Sequence, residues 1–216
     1  MLNREQKERS QSEIICIEDL VPENHLLRKI DETVDFTKIY DIVGKLYSAD
    51  KGRPSTDPVV LFKAAMIQHI YGIPSLRRTA EEIRLNIAYR WFLGYSLTEK
   101  TPHFSTFSYN FSHRFTEDVV QQIFNWILNE INDAGYLSPE AVFIDGTQIH
   151  TPELRKLYDR RKETIERVFA VAKEKHSMRF TYFRGLARVT NWVRLKFAAM
   201  NLKKYVLHRW LYCFFS

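Results

Sequence analysis

The sequence predicts a mainly α fold: a helical bundle over residues 15–135, then a basic segment, 136–216, in which one strand-like run stands among helices. Three observations carry this reading. Apolar side chains recur at spacings of three and four through most of the first 135 residues. Residues that cap or start helices stand just ahead of those runs, and glycine or proline stands just after them. Only one stretch, "AVFID" at 141–145, reads as a short run of strand formers, and a lone strand cannot complete a ladder by itself.

The elements follow in order. Residues 1–14 are polar and charged and are expected to be a flexible N-terminus. "ENHLLRKIDETVDFTKIYDIVGKLYS" places Leu26, Ile30 and Val34 on one side and Ile39, Ile42, Val43 and Leu46 on the next, which predicts two short helices. In "STDPVVLFKAAMIQHIYGIP", Asp57 can cap and Pro58 takes the first helical position, where its missing N–H costs nothing; Gly72 and Pro74 end the helix. "SLRRTAEEIRLN" follows, with Ser75 as cap and Leu76, Ala80 and Ile83 as the buried stripe. The pair 58–71 and 76–86, joined by "GIP", has helix-turn-helix proportions, as do many helix pairs in all-helical proteins. Arg77, Arg78 and Arg84 can reach phosphate oxygens, or can form a solvated face paired with Glu81 and Glu82.

Further on, "IAYRWFLGYSL" and "HFSTFSYNFSHRF" are rich in aromatic residues, which, interleaved with Arg90, His113 and Arg114, could stack on bases but fit buried helix contacts better; Ser105 is the expected cap there. "TEDVVQQIFNWILNEINDAG" is the clearest helix, with Thr116 as cap, Val119, Val120, Ile123, Phe124, Ile127, Leu128 and Ile131 on one face, and Gly135 as the stop. After the strand-like run, helix is expected again in "ELRKLYDRRKETIERVFAVAKEKH", a break in "MRFTYFRGLA", and a long final helix with Val189, Val193, Phe197 and Met200 as its stripe.

Composition limits the function classes. With 45% hydrophobic and 14% aromatic residues in 216, the chain can bury a real core. Its two cysteines, Cys16 and Cys213, form no zinc-type pattern and no disulfide framework, which fits a reducing, cytoplasmic setting. No secretion signal and no run of eighteen apolar residues is present, so no membrane partner is expected. Residues 151–216 carry 16 Lys+Arg against 5 Asp+Glu, whereas residues 1–150 carry 16 against 21. So basic a segment suggests a polyanionic partner, or else a solvated helix surface.

The chemistry centres on Asp145, a carboxylate closing the strand-like run in "AVFIDGTQIH". Such a position can present a metal ligand to a hard cation, although Asp-Gly is also ordinary turn chemistry. In "YDRRKETIERVFAVAK", Glu166 precedes Lys173 by two helical turns, so the two share a face with Lys162, Glu163 and Ala170. That face suits a place where a metal and a phosphate meet, and equally a salt-bridged surface helix.

Together, "AVFIDGTQIH", "RRKETIERVFAVAKEKH", "RGLARV" and "AAMNLKK" resemble the DDE transposases of bacterial insertion sequences. "GRPSTDPVVLFKAAMIQHIYGIPSLRRTAEEI" and "HFSTFSYNFSHRF" resemble the helical, DNA-binding N-terminal domain of the same group. The resemblance covers about nine tenths of the chain and implies an RNase H-like α/β catalytic core after residue 135. It implies Asp145 as the first acid of the family's three and Glu166 as the last, both catalytic and both ligands of Mg²⁺ or Mn²⁺. Tyr158, Arg161, Glu166 and Lys173 approximate the family's Tyr-x2-Arg-x3-Glu-x6-Lys signature, with four residues instead of three between Arg161 and Glu166; Lys162 restores the spacing. Arg161, Lys162 and Lys173 are then expected on DNA, beside Arg77, Arg78 and Arg84. The implied reaction is an in-line phosphodiester displacement between two metals.

One departure is large. Only 20 residues separate Asp145 from Glu166. At about 3.3 Å per strand residue and a dozen or more residues per parallel crossover, they cannot hold the rest of a sheet, a crossover helix and a second aspartate. Glu153, Asp159 and Glu163 lie in the gap, and none ends a strand. The expectation is an internally deleted copy, joined near 150/151, in which 136–216 is a truncated remnant of the RNase H-like domain. Such a chain is expected to bind the element's terminal repeats without strand transfer, alone, as a homo-oligomer or with full-length transposase. The alternatives are an inhibitor of transposition and a helical remnant without function.

Overall fold

The computed structural model describes residues 12, 14–47, 55–136 and 166–213. Helices make up the regular structure there, and no strand occurs among the described residues. The strand expected at 141–145 and the 150/151 junction lie outside them.

Ten helices occur in this part: α1 (Ile17–Leu20), α2 (Leu26–Thr33), α3 (Lys38–Val43, running into a 3-10 turn at Gly44–Leu46), α4 (Pro58–Ile70), α5 (Leu76–Leu85), α6 (Ile87–Phe92), α7 (Phe104–His113), α8 (Glu117–Asp133), α9 (166–175) and α10 (Leu186–Cys213). Their starts follow local chemistry. Asp57 Oδ1 accepts from the Val59 N–H at 2.7 Å while Oδ2 accepts from the Tyr40 hydroxyl at 2.7 Å, so one carboxylate caps α4 and ties it to α3. Ser75 caps α5 through the Arg78 N–H at 3.2 Å, and Asn86 caps α6 through the Tyr89 N–H at 3.2 Å. Two expected caps differ. His103, not Ser105, caps α7, because the helix begins two residues earlier, at Phe104, and the imidazole Nδ1 accepts from the Ser105 N–H. Thr116 occupies the N-cap position of α8 without a side-chain hydrogen bond.

α4 is the centre of the core. Its sequence "PVVLFKAAMIQHI" has no polar stripe, and Leu61, Phe62, Met66, Ile67 and Ile70 are all buried, as expected of a helix that neighbours cover on every side. α3, α5 and α10 pack on it, and Phe62 meets Phe36 and Trp126 with ring centroids 6.2 Å away in each case. The stripe expected on α8 is real: Val119, Val120, Ile123, Ile127 and Ile131 are buried, with Phe124 and Leu128 half-buried beside them.

On α10 the expected stripe is off-centre. Val189, Val193, Phe197 and Met200 are half-buried, whereas Leu195, Ala198, Ala199, Leu202, Tyr205 and Val206 face the core. The reason is that α10 has partners on more than one side. It packs on α8, α4 and α2 through the second set, its small alanines allowing close approach, while Phe197 meets Phe169 of α9 edge-on at 5.9 Å. Buried residues from either side of residue 136 thus form one hydrophobic core.

The segment after α9 is clamped to the end of α4. The His176 ring Nδ1 lies 2.8 Å from the His69 carbonyl oxygen, so its N–H donates there. The Ser177 hydroxyl donates to the Gly72 carbonyl, and the buried Lys196 ammonium donates to the His176 carbonyl while lying 4.4 Å above the Trp192 ring. Gly72 has φ +65°, and a Cβ there would fall 2.7 Å from the Lys175 carbonyl oxygen, so both conformation and space require glycine.

Candidate nucleic-acid interface

The outer face of α5 and the segment 97–104 enclose a groove of about 690 Å³. Arg77, Arg84, Lys100 and His103 line it together with Glu81 and Glu99. Its floor is held by Arg90, a residue only 4% exposed whose guanidinium donates to the carbonyls of Ser96 (2.9 Å), Arg84 (3.3 Å) and Glu99. One buried cation bonded to three backbone carbonyls therefore fixes the segment 96–99 against the end of α5. The second wall is stiffened by His103 against the Phe104 ring, 4.2 Å between centroids, and Arg77 reaches over Phe104 at 5.2 Å.

The expected DNA-contacting arginines divide. Arg77 and Arg78 are exposed and paired with acids one helical turn on, Arg77 with Glu81 at 3.9 Å and Arg78 with Glu82 at 2.9 Å. Exposed pairs of this kind contribute a few tenths of a kcal/mol at most, so a phosphate can displace them at little cost. Arg84 is exposed and unpaired among the described residues. Lys100 and His103 were not singled out by spacing, because they lie in a coil whose proximity to α5 depends on the fold. Their only sequence signal is a basic and aromatic composition between two helices.

The other aromatic-basic residues pair within the fold, Arg114 half-buried and the His113–Tyr109 pair on the surface. Arg114 lies 4.1 Å from the Tyr47 ring and donates to Asn110 Oδ1 at 2.8 Å, and His113 stacks on Tyr109 at 4.2 Å. Trp91 donates to Glu18, which also pairs with Arg28, and this holds α1 on α6; these hydrogen bonds hold the Glu18 carboxyl below its usual range.

Of the expected catalytic set, Glu166 and Lys173 lie on α9, both exposed. Asp145, Arg161 and Lys162 fall outside the described residues. Among the described residues no three Asp, Glu, His or Cys side chains come together as a metal site. Of the acids expected to hold two divalent ions, only Glu166 falls among the described residues.

The sequence matches two family models. Residues 15–113 match the one described as "Transposase domain (DUF772)". Residues 143–206 match the one described as "Transposase DDE domain". The chain belongs to the DDE transposases of insertion sequences. The first match covers α1 to α7 and includes the α5 groove; the second runs from before Asp145 into α10. Divalent-metal dependence is a property of the DDE transposase family, and DNA is its substrate. No curated protein and no solved structure matches the chain. No helix among the described residues is long and apolar enough to cross a membrane.

Proposed function

We propose that this transposase-family chain is an internally deleted copy that binds the DNA ends of its element through the α5 groove and the basic surface of α9 and α10, without strand cleavage or joining. The observation that carries the binding half is the groove itself, where Arg77, Arg84, Lys100 and His103 converge on a surface with two acids. Phosphates tracking along α5 exchange the weak pairs of Arg77 and Arg78 for charge-assisted contacts, and Arg84 and Lys100 add contacts at no pairing cost. Lys173, exposed on α9, extends the basic surface, and Arg161 and Lys162 are proposed to contact DNA as the family signature implies.

Catalytic impairment is supported by the 20 residues between Asp145 and Glu166, too few for the strands and crossover that place a middle aspartate. Asp145 and Glu166 remain as the first and last acids of a set whose second member is missing. Mg²⁺ held by two of three carboxylates keeps most of its waters and binds weakly. The RNase H-like character of 136–216, its extent as a remnant, and a cytoplasmic location belong to the same proposal. Pairing with another copy or with full-length transposase would make the chain an inhibitor, and the shared hydrophobic core of α10 with α2, α4 and α8 favours a folded binder over an inert remnant.

A salt-titrated binding assay on terminal-repeat DNA, run beside a cleavage and joining assay with Mg²⁺ or Mn²⁺, tests both halves. Binding should weaken linearly on a log–log plot with salt, and Arg84→Ala with Lys100→Ala should reduce the slope by about two. Binding that is salt-independent overturns the groove reading. Strand-joined product that disappears in Asp145→Ala overturns the reading of an unassembled catalytic site.

A further inference from the structure

The coil between α9 and α10, residues 176–185, carries three aromatic rings on its surface. Phe180 is 60% exposed, Tyr182 71% and Phe183 40%. Phe180 and Tyr182 meet at 87° with centroids 5.4 Å apart, so each ring steadies the other, and at these exposures neither is covered. Leaving three large rings in water within four residues forgoes the burial that other aromatic residues of this chain obtain, and such a patch marks a contact surface. The coil is also held in place. Its start is fixed on the end of α4 by the His176 N–H to the His69 carbonyl at 2.8 Å and by Ser177 on Gly72; the Phe183 N–H donates to Thr181 Oγ1 at 3.2 Å, and Leu186 opens α10.

Charge selects the partner. Residues 175–216 contain nine Lys+Arg and no Asp or Glu. Three of the arginines bracket the rings, Arg179, Arg184 and Arg188, and all three are exposed. Arg179 pairs with the exposed Glu174, a contact that a phosphate displaces at little cost, and Arg184 and Arg188 have no ion pair among the described residues. Rings interleaved with cations suit a strand whose bases are free to stack while its phosphates meet the guanidinium groups. A duplex keeps its bases stacked inside and offers these rings no face. An anionic bilayer also attracts cations and aromatic rings, but a coil entering it would leave its peptide groups unbonded, which is costly in lipid. We propose that this coil is a binding site for single-stranded DNA, with bases stacked on Phe180, Tyr182 and Phe183 and phosphates met by Arg179, Arg184 and Arg188. The site rests on the reading of DNA as this chain's ligand and adds to the α5 groove a second surface that selects unpaired strands. Phe183 and Arg188 share the wall of a concavity with Leu76, the residue before Arg77 of the groove, so the coil stands beside the start of α5, where an unpaired end of a bound duplex can reach it.

Fluorescence anisotropy of the full chain with labelled strands of about twelve nucleotides tests this. Oligo-dT should bind about tenfold or more tightly than an abasic strand with the same phosphates. Phe180→Leu combined with Tyr182→Leu keeps the exposed coil apolar but removes the stacking faces, and should bring oligo-dT down to the abasic level; Tyr182→Phe should leave its affinity unchanged. Arg184→Gln combined with Arg188→Gln should weaken both strands alike and reduce the log–log salt slope by about 1.4. Equal binding of oligo-dT and the abasic strand overturns the proposal, and so does wild-type affinity for oligo-dT in the folded double-leucine chain. Binding to vesicles of anionic lipid without binding to oligo-dT also overturns it and makes the coil a membrane contact. Duplex DNA separates this site from the groove. A chain that shows the base dependence on single strands but no salt slope on duplex loses the groove reading alone, and one that keeps the duplex slope without base dependence loses the strand site alone.

Discussion

Acidification should unfold this chain through His69. The ring is enclosed at the end of α4, and burial, with Lys196 and His176 nearby, drives its pKa down from 6.5 to about 3. A depressed folded-state value means that the unfolded chain takes up the proton first. Stability is therefore fully present above pH 6.5 and declines as pH falls from there toward 3. Between pH 7 and pH 5 linkage gives a loss of about 2 kcal/mol from this one group, a large share of the 5–15 kcal/mol typical of a domain. His176, held low chiefly by burial against the bond to the His69 carbonyl, adds a loss of the same sign. The window lies above the range in which ordinary carboxylates titrate, which isolates the histidines. Urea unfolding followed by circular dichroism at pH 7, 6 and 5 should give a falling midpoint in the wild type, and His69→Gln should flatten that dependence by about 2 kcal/mol, whatever it does to stability at pH 7. An equal pH slope in both proteins would falsify the assignment of a neutral buried His69.

Two further outcomes follow from the packing. Asp57→Ala removes the cap on the Val59 N–H and the acceptor for Tyr40, so the chain should lose about 1–2 kcal/mol, read as a lower urea midpoint with an unchanged m-value; Asp57→Asn should recover most of it. Gly72→Ala forces a Cβ into a left-handed backbone and to within 2.7 Å of the Lys175 carbonyl, and should cost more than the roughly 1–2 kcal/mol of the backbone term alone. Because the clash is with the 175–177 segment, hydrogen exchange should rise there as well as at the end of α4; exchange confined to residues 70–74 would refute that docking.

Local chemistry was legible in the residues themselves wherever neighbours in sequence decide it. Asp57 with Pro58, Ser75, and the α8 stripe from Val119 to Ile131 are short-range patterns, since caps and helical faces depend on residues within one or two turns. The order of transposase motifs identified the family for the same reason, and the length of the Asp145–Glu166 gap is a count along the chain.

Other features depend on what lies across space. The stripe of α10 could not be centred from spacing, because α9 and the α2, α4 and α8 surfaces occupy different sides of it. Arg90, one of the basic residues interleaved with the aromatics that could stack on bases, is a buried clamp on three carbonyls, and Lys100 and His103 become part of a basic groove only through that clamp. His69, His176 and Lys196 come from three separate stretches of the chain, and nothing near any one of them in sequence signals the others. Sequence by itself determined the family, most of the helices and the 20-residue span between Asp145 and Glu166. Tertiary structure decided which cations are free and which faces are shared, because burial and electrostatic neighbourhood are set by contacts between residues distant in sequence.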